Sequence, residues 1–440
     1  MASRILLALC ALLAPLLVSP DAAANGRAAG TSSIRFRVGM EQEIAAGMTF
    51  GLLLSRDGGA TWSWMCEEAV GYGGTFDPDY EYTMSGALFA TTFTGMQVMR
   101  NGCTFTKPSG TKFVSTLAQG PDGHLYYGAA EAPATGNPGD AQIYRSIDDG
   151  MTWAPGSMQP GQPGDWWQSL EVAPSDPQRL YLAGYRFFGG QNNLFLLRSI
   201  NGGDTWQPLP ITAFTRAANS TLEIAGISHT NADIVFARIK LEDNTISDAI
   251  YRSTDGGMNW TRVLGMGGGI SLLVRRSGEV LAATQALGAK RSPDGSLGSW
   301  TDLVNPPHIN CLSENSAREV WACTQNYGGM QAPSDGYGIM KTTDLATWTP
   351  VLKYQQIKAP VACTSGSVQK ERCDNELWCG LCAQLGCNAD RPACIPAADA
   401  PEPPADKGCC NTSAVPAPGA LVLALALGVL LLRRPRARRR

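Results

Sequence analysis

A short phrase, Ser-x-Asp-x-Gly-x-Thr-Trp, recurs along this chain, and a chain that repeats itself builds a repeated structure. It stands at residues 55–62 and 146–153, at 199–206 with Asn201 in the acid's place, and at 253–260 with Asn259 for threonine. Shorter or altered copies end at Phe105, Trp300 and Trp348, the last two carrying Asp294 and Asp344. The seven aromatic ends fall 40 to 54 residues apart, the length of one four-stranded propeller blade. Composition agrees. With 49 Gly and 28 Pro in 440 residues, turns and short strands are favoured over long helices.

The interval between copies repeats as well. In the fourth unit, residues 167–173, 180–185, 194–199 and 205–209 read as strands, with a Pro174–Pro177 turn after the first. The fifth unit follows the same order over 222–229, 234–239, 249–254 and 260–264. The expected fold is all-β: a seven-bladed β-propeller of four-stranded antiparallel blades over residues 31–360. The first unit has no obvious inner strand, and residues 357–363 are expected to supply it and close the ring.

The phrase is that of the Asp-box, or BNR, repeat, and the body of the chain resembles that family over residues 31–360. The resemblance implies a structural hairpin. Its acid (Asp57, Asp148, Asp255, Asp294, Asp344, or Asn201) accepts backbone hydrogen bonds, and its indole (Trp62, Trp153, Trp206, Trp260, Trp300, Trp348) packs between blades. These carboxylates are therefore expected to build the frame and do no catalysis.

The two ends read as addresses. Arg4, an apolar run to Val18 and Ala22-Ala23-Ala24 make residues 1–24 an export signal. A Pro/Ala linker at 396–408 leads to 409–440, where Cys409-Cys410, an apolar stretch at 415–432 and six terminal arginines follow. Eighteen apolar residues suffice for a transmembrane helix, with the arginines on the cytoplasmic side. This end resembles the MYXO-CTERM sorting signal. The likeness implies processing at Cys409 or Cys410 by a sortase-like protease, and anchoring at the cell surface. Without the two ends the body holds 28 basic and 37 acidic residues, a balance that excludes nucleic acid as partner.

An exported chain keeps disulfides. Cys311 and Cys323 are expected to pair across adjacent strands, and Cys66 with Cys103 between neighbouring blades. Cys363, Cys373, Cys379, Cys382, Cys387 and Cys394 form a cysteine-rich module at 361–395 with three internal bridges of unspecified pairing. Cys379-Gly-Leu-Cys382 has no nearby histidine, so structural disulfides are preferred to a metal site, and no cofactor is expected.

Catalysis is sought first in the sialidases of the same repeat family. Phe36-Arg37-Val38-Gly39 is a partial match to their first-blade motif but lacks its proline, and no Tyr–Glu pair can be assigned. Residues 172–181 resemble xyloglucanase-type and sortilin-type propellers, where the xyloglucanases set two propellers face to face. No catalytic residue is assigned. The expected role is binding or adhesion to a glycan or protein ligand at the cell surface, through Trp166, Arg186, Phe187, Phe188, Arg216 and Tyr327 on the loop face. The alternative is a glycoside hydrolase on the same scaffold. Two acids facing each other across the central opening favour the alternative, and an apolar plug favours binding.

Overall fold

The computed structural model describes residues 27–387, apart from 109–112, 243–246 and 330–331, together with Cys394. The segments expected to be an export signal, a linker, a sorting signal and a transmembrane helix lie outside the described residues. The chain divides into two compact units, Met1–Asp390 and Arg391–Arg440, and the fold is that of the first. Among the described residues no helix is long and apolar enough to cross a membrane.

The described residues form seven antiparallel sheets, each a blade. The innermost strands are Thr31–Phe36, Tyr80–Tyr82, Val114–Gln119, Trp166–Ala173, Thr221–Ile227, Ser271–Val274 and Cys311–Glu314. Each of these touches the next, and Cys311–Glu314 meets Thr31–Phe36, so the ring is closed. The fourth blade contains Asp176–Phe188 and Gln191–Ser199, and the fifth Val235–Lys240 and Ser247–Ser253, as the repeat spacing predicts.

The repeat turn explains this regularity. In the first copy the Ser55 hydroxyl donates to Asp57 Oδ1 at 2.9 Å and accepts from Gly59 N at 2.9 Å. Asp57 accepts from Thr61 N at 2.8 Å and Thr61 Oγ1 at 2.6 Å. The Trp62 indole donates to Gly59 O at 2.9 Å. The copies at Asp148 and Asp255 repeat this set, and Asn201 keeps it by donating from Nδ2 to Thr205 Oγ1. Gly59 has φ +91°, and a Cβ there would lie 2.8 Å from Val351 and 3.1 Å from Trp321 of the seventh blade. The turn glycines at 150, 203 and 295 abut Phe89, Tyr126 and Phe236 in the same way. Each turn thus leans on the preceding blade, and the first leans on the last.

The altered copies lose one bond. Asp294 and Asp344 still accept backbone N–H groups of their turns. One residue more or less between acid and tryptophan shifts the indole. The buried Trp300 and Trp348 Nε1 atoms find no acceptor among the described residues.

Two sequence expectations fail at the closure. The first blade has its own inner strand, Thr31–Phe36. The returning segment Ala359–Pro360 pairs in parallel with Ser63–Met65 and becomes a fifth, outermost strand. The chain then runs into a helical segment, Gln369–Leu377 followed by Trp378–Leu385, which rests on the first blade. There Trp378 packs on Trp64 at 5.7 Å, and Gln369 Nε2 donates to Trp64 O at 2.9 Å.

The cysteines follow that path. Cys311–Cys323 forms as expected. Cys66 does not pair with Cys103. Cys66 bonds Cys373 and Cys103 bonds Cys363, because the returning segment passes over the outer edges of the first two blades. Cys382 pairs with Cys387, and Cys379 and Cys394 are also disulfide-bonded. The cysteine-rich segment is therefore a clasp on the propeller, not a self-contained knot.

Candidate functional site

All seven inner strands look into one central cavity of about 530 Å³. Its wall is not an apolar plug. Asp79 and Glu81 come from the second blade, Glu171 from the fourth and Glu223 from the fifth, with Arg35 from the first. Alternation along a strand places them. In Trp166–Ala173 the neighbours of Glu171, Leu170 and Val172, are buried in the blade while Glu171 itself is exposed to the cavity. Leu222 and Ile224 flank Glu223 in the same way.

The environments of these acids diverge. Glu223 is held by Arg238 at 2.6 Å and Lys240 at 2.7 Å, both from the adjacent strand. The surrounding protein opposes its charge, but the two cations outweigh that and lower its pKa. Among the described residues Glu171 has no such partner. Displacement of water by the encircling blades, then the charge of Glu81, pushes its pKa up to about 8. Arg35 opposes the rise, while Asp79 and Glu223 add to it. Glu171 and Asp79 stay open to cavity water, so the effect comes from protein on all sides rather than from a dry contact. Glu81 is raised to about 7 by the same displacement of water, only partly countered by Arg35 at 4.0 Å. Asp79 is raised as well, again mainly by the surrounding protein. The acids influence one another's titration, so they act as a set. The cavity therefore holds a carboxyl on which charge is disfavoured and, on the next blade, one whose charge two cations support. That is the separation that acid–base chemistry on two carboxyls requires.

The residues expected from sequence sit elsewhere, on the loop face. Trp166 packs tilted against Phe113, with ring centroids 5.1 Å apart. Arg186 makes a two-point pair with buried Asp165, at 2.6 and 2.7 Å. Phe187 and Phe188 cap an exposed hairpin, 67% and 74% accessible. Arg216 donates to Ile211 O, and Tyr327 donates to Leu385 O at 2.6 Å, which ties the loop to the clasp. His308 Nδ1 lies 2.8 Å from Asp335 and braces a loop. Sequence reasoning passed over Asp79, Glu81, Glu171 and Glu223. The available signal was an acid set between apolar or aromatic neighbours in a first strand: one in 166–173 and in 221–227, and two in 79–82.

No protein-family model matches the chain. A curated xyloglucanase from Paenibacillus sp. is 28% identical over 239 residues, covering 47% of this chain and 22% of that protein. The chain thus spans about a fifth of the length of the curated relative it matches. Among solved structures, an ancestral GH74 enzyme is similar with a TM-score of 0.49 and 14% identity, over 74% of this chain and 49% of that one. The GH74 xyloglucanase of Xanthomonas campestris is similar with a TM-score of 0.33 and 15% identity, over 76% and 65%. The expectation of a binding or adhesion module is corrected here. The curated match is to a glycan hydrolase, and the opening is lined by acids where the adhesion reading requires an apolar filling.

Proposed function

We propose that this propeller is a glycoside hydrolase acting on a neutral glucan of the xyloglucan class, with the central cavity as its site. The observation that carries the reading is the divergence of Glu171 and Glu223 on neighbouring blades. Glu171 holds a proton at neutral pH and is placed to give it to the departing glycosidic oxygen. Glu223, kept ionised by Arg238 and Lys240, stabilises positive charge at the anomeric carbon. Water then adds its hydroxyl to that carbon and returns a proton to Glu171. Arg35 limits how far the acid group is raised. The sequence likeness to the Paenibacillus xyloglucanase supports the choice of substrate class.

The test is release of reducing ends from xyloglucan and other neutral glucans by the exported portion of the chain. The Glu171→Gln and Glu223→Gln variants run beside it. Hydrolysis by the wild type, reduced by about two to four orders of magnitude in Glu171→Gln, is expected. Equal release by wild type and both variants sinks the proposal.

A further inference from the structure

We infer that a row of aromatic rings where the inner strands of the second, third and fourth blades begin, Phe76, Phe93, Phe113 and Trp166, is a stacking strip for a neutral glucan chain. The inference takes the ligand class from the reading above but does not depend on hydrolysis. The rings come from three blades and form one continuous series. Phe76 and Phe93 have centroids 4.5 Å apart, Phe93 and Phe113 5.1 Å, and Phe113 and Trp166 5.1 Å. Phe93 and Phe113 are within 11° of parallel at that separation, an offset stack that leaves part of each face uncovered. Phe93 is 58% exposed.

Burial does not account for a ring left in water, and hydrogen bonds brace the turns beside Phe93 and Trp166. Thr92, fully buried, donates from Oγ1 to Gly95 O at 2.5 Å, which closes the turn that presents Phe93. On the other side of that turn, Thr91 N donates to Asp79 O at 3.0 Å, and Asp79 N donates to Thr91 Oγ1 at 2.9 Å. The Phe93 turn is thus bonded to the residue that begins the acidic wall of the cavity. Trp166 follows Asp165, which is clamped by Arg186 and by Gln162 N at 2.8 Å. Phe113 immediately precedes the inner strand Val114–Gln119. Rings held this firmly lose little freedom when a ligand arrives.

The occupant that suits such a strip is a sugar polymer with flat, C–H-rich ring faces. It carries no charge to be repelled by the acids of the cavity.

Binding of xyloglucan oligosaccharide and polymer is measured by calorimetry and by retardation in glucan-containing gels. The proteins are wild type, Phe93→Ala, Trp166→Ala, Phe93→Trp and Phe187→Ala. Phe93→Ala and Trp166→Ala are expected to weaken binding about tenfold, while Phe93→Trp retains it. Phe187→Ala, an exposed phenylalanine off the row, is expected to change nothing. Unaltered affinity in Phe93→Ala and Trp166→Ala overturns the inference. So does a folded wild type that binds no neutral glucan. Row-dependent binding without release of reducing ends defeats the hydrolase reading and leaves the strip standing.

Discussion

Cys66 of the first blade is bonded to Cys373 of the terminal helical segment, 307 positions away. A second bridge, Cys103–Cys363, spans 260 positions and fastens the same returning chain to the second blade. A propeller must bring its last blade to its first at a large cost in chain entropy, and covalent closure removes part of that cost from the folding step.

Removing either long bridge is therefore expected to lower stability. The paired change Cys66→Ala with Cys373→Ala should cost about 2–4 kcal/mol, read as a lower denaturation midpoint. Reductant should lower the wild-type midpoint similarly. Equal midpoints with and without reductant contradict a role in closure.

The regular and altered repeat turns should respond differently to loss of the indole N–H. Trp206 donates to Gly203 O at 3.1 Å, whereas Trp348 Nε1 finds no acceptor among the described residues. Trp206→Phe is expected to cost about 0.5–1.5 kcal/mol more than Trp348→Phe in urea unfolding, one net hydrogen bond. Equal losses count against the indole bond as the reason for the spacing.

Hydrolysis should follow the two acids. Activity needs Glu171 protonated, so it falls as pH rises through about 8. It needs Glu223 ionised, and that group lies below its ordinary value, so the acid limb lies lower than for a free glutamate. Arg35 opposes the rise at Glu171 and Glu81, so Arg35→Met should move the alkaline limb upward. A limb that ignores this substitution removes Glu171 from the acid role.

The same group sets a stability trend. A carboxyl whose folded pKa exceeds its unfolded value of about 4.3 favours folding fully only below that value. The benefit is lost as pH rises through the folded value of about 8. Glu171→Gln removes this titration. The variant should unfold with the wild type at pH 4 and above it in temperature at pH 9, by scanning calorimetry.

Much of the frame was legible because it is local. Ser55, Asp57, Gly59, Thr61 and Trp62 bond to one another within eight residues, so their spacing alone names the turn. Seven such ends at blade length predict the ring, and the strands of the fourth and fifth units fall close to where the pattern puts them. The pairing of Cys66 and Cys103 was not legible. Both sit in regular blades, and nothing near either shows that a distant segment will cross them. Tyr327 and Arg186 illustrate another limit. On a loop they resemble ligand contacts, yet each is engaged by Leu385 or Asp165.

The order of blades was thus determined by sequence alone, since turn chemistry and strand alternation act between neighbours along the chain. The acidic cavity was decided only by the closed ring. Asp79 and Glu81 share one short segment, while Glu171 and Glu223 stand on strands of their own, up to 144 residues away. Closure of seven blades faces them onto one small volume of water. There their charges are felt together, and their proton affinities separate.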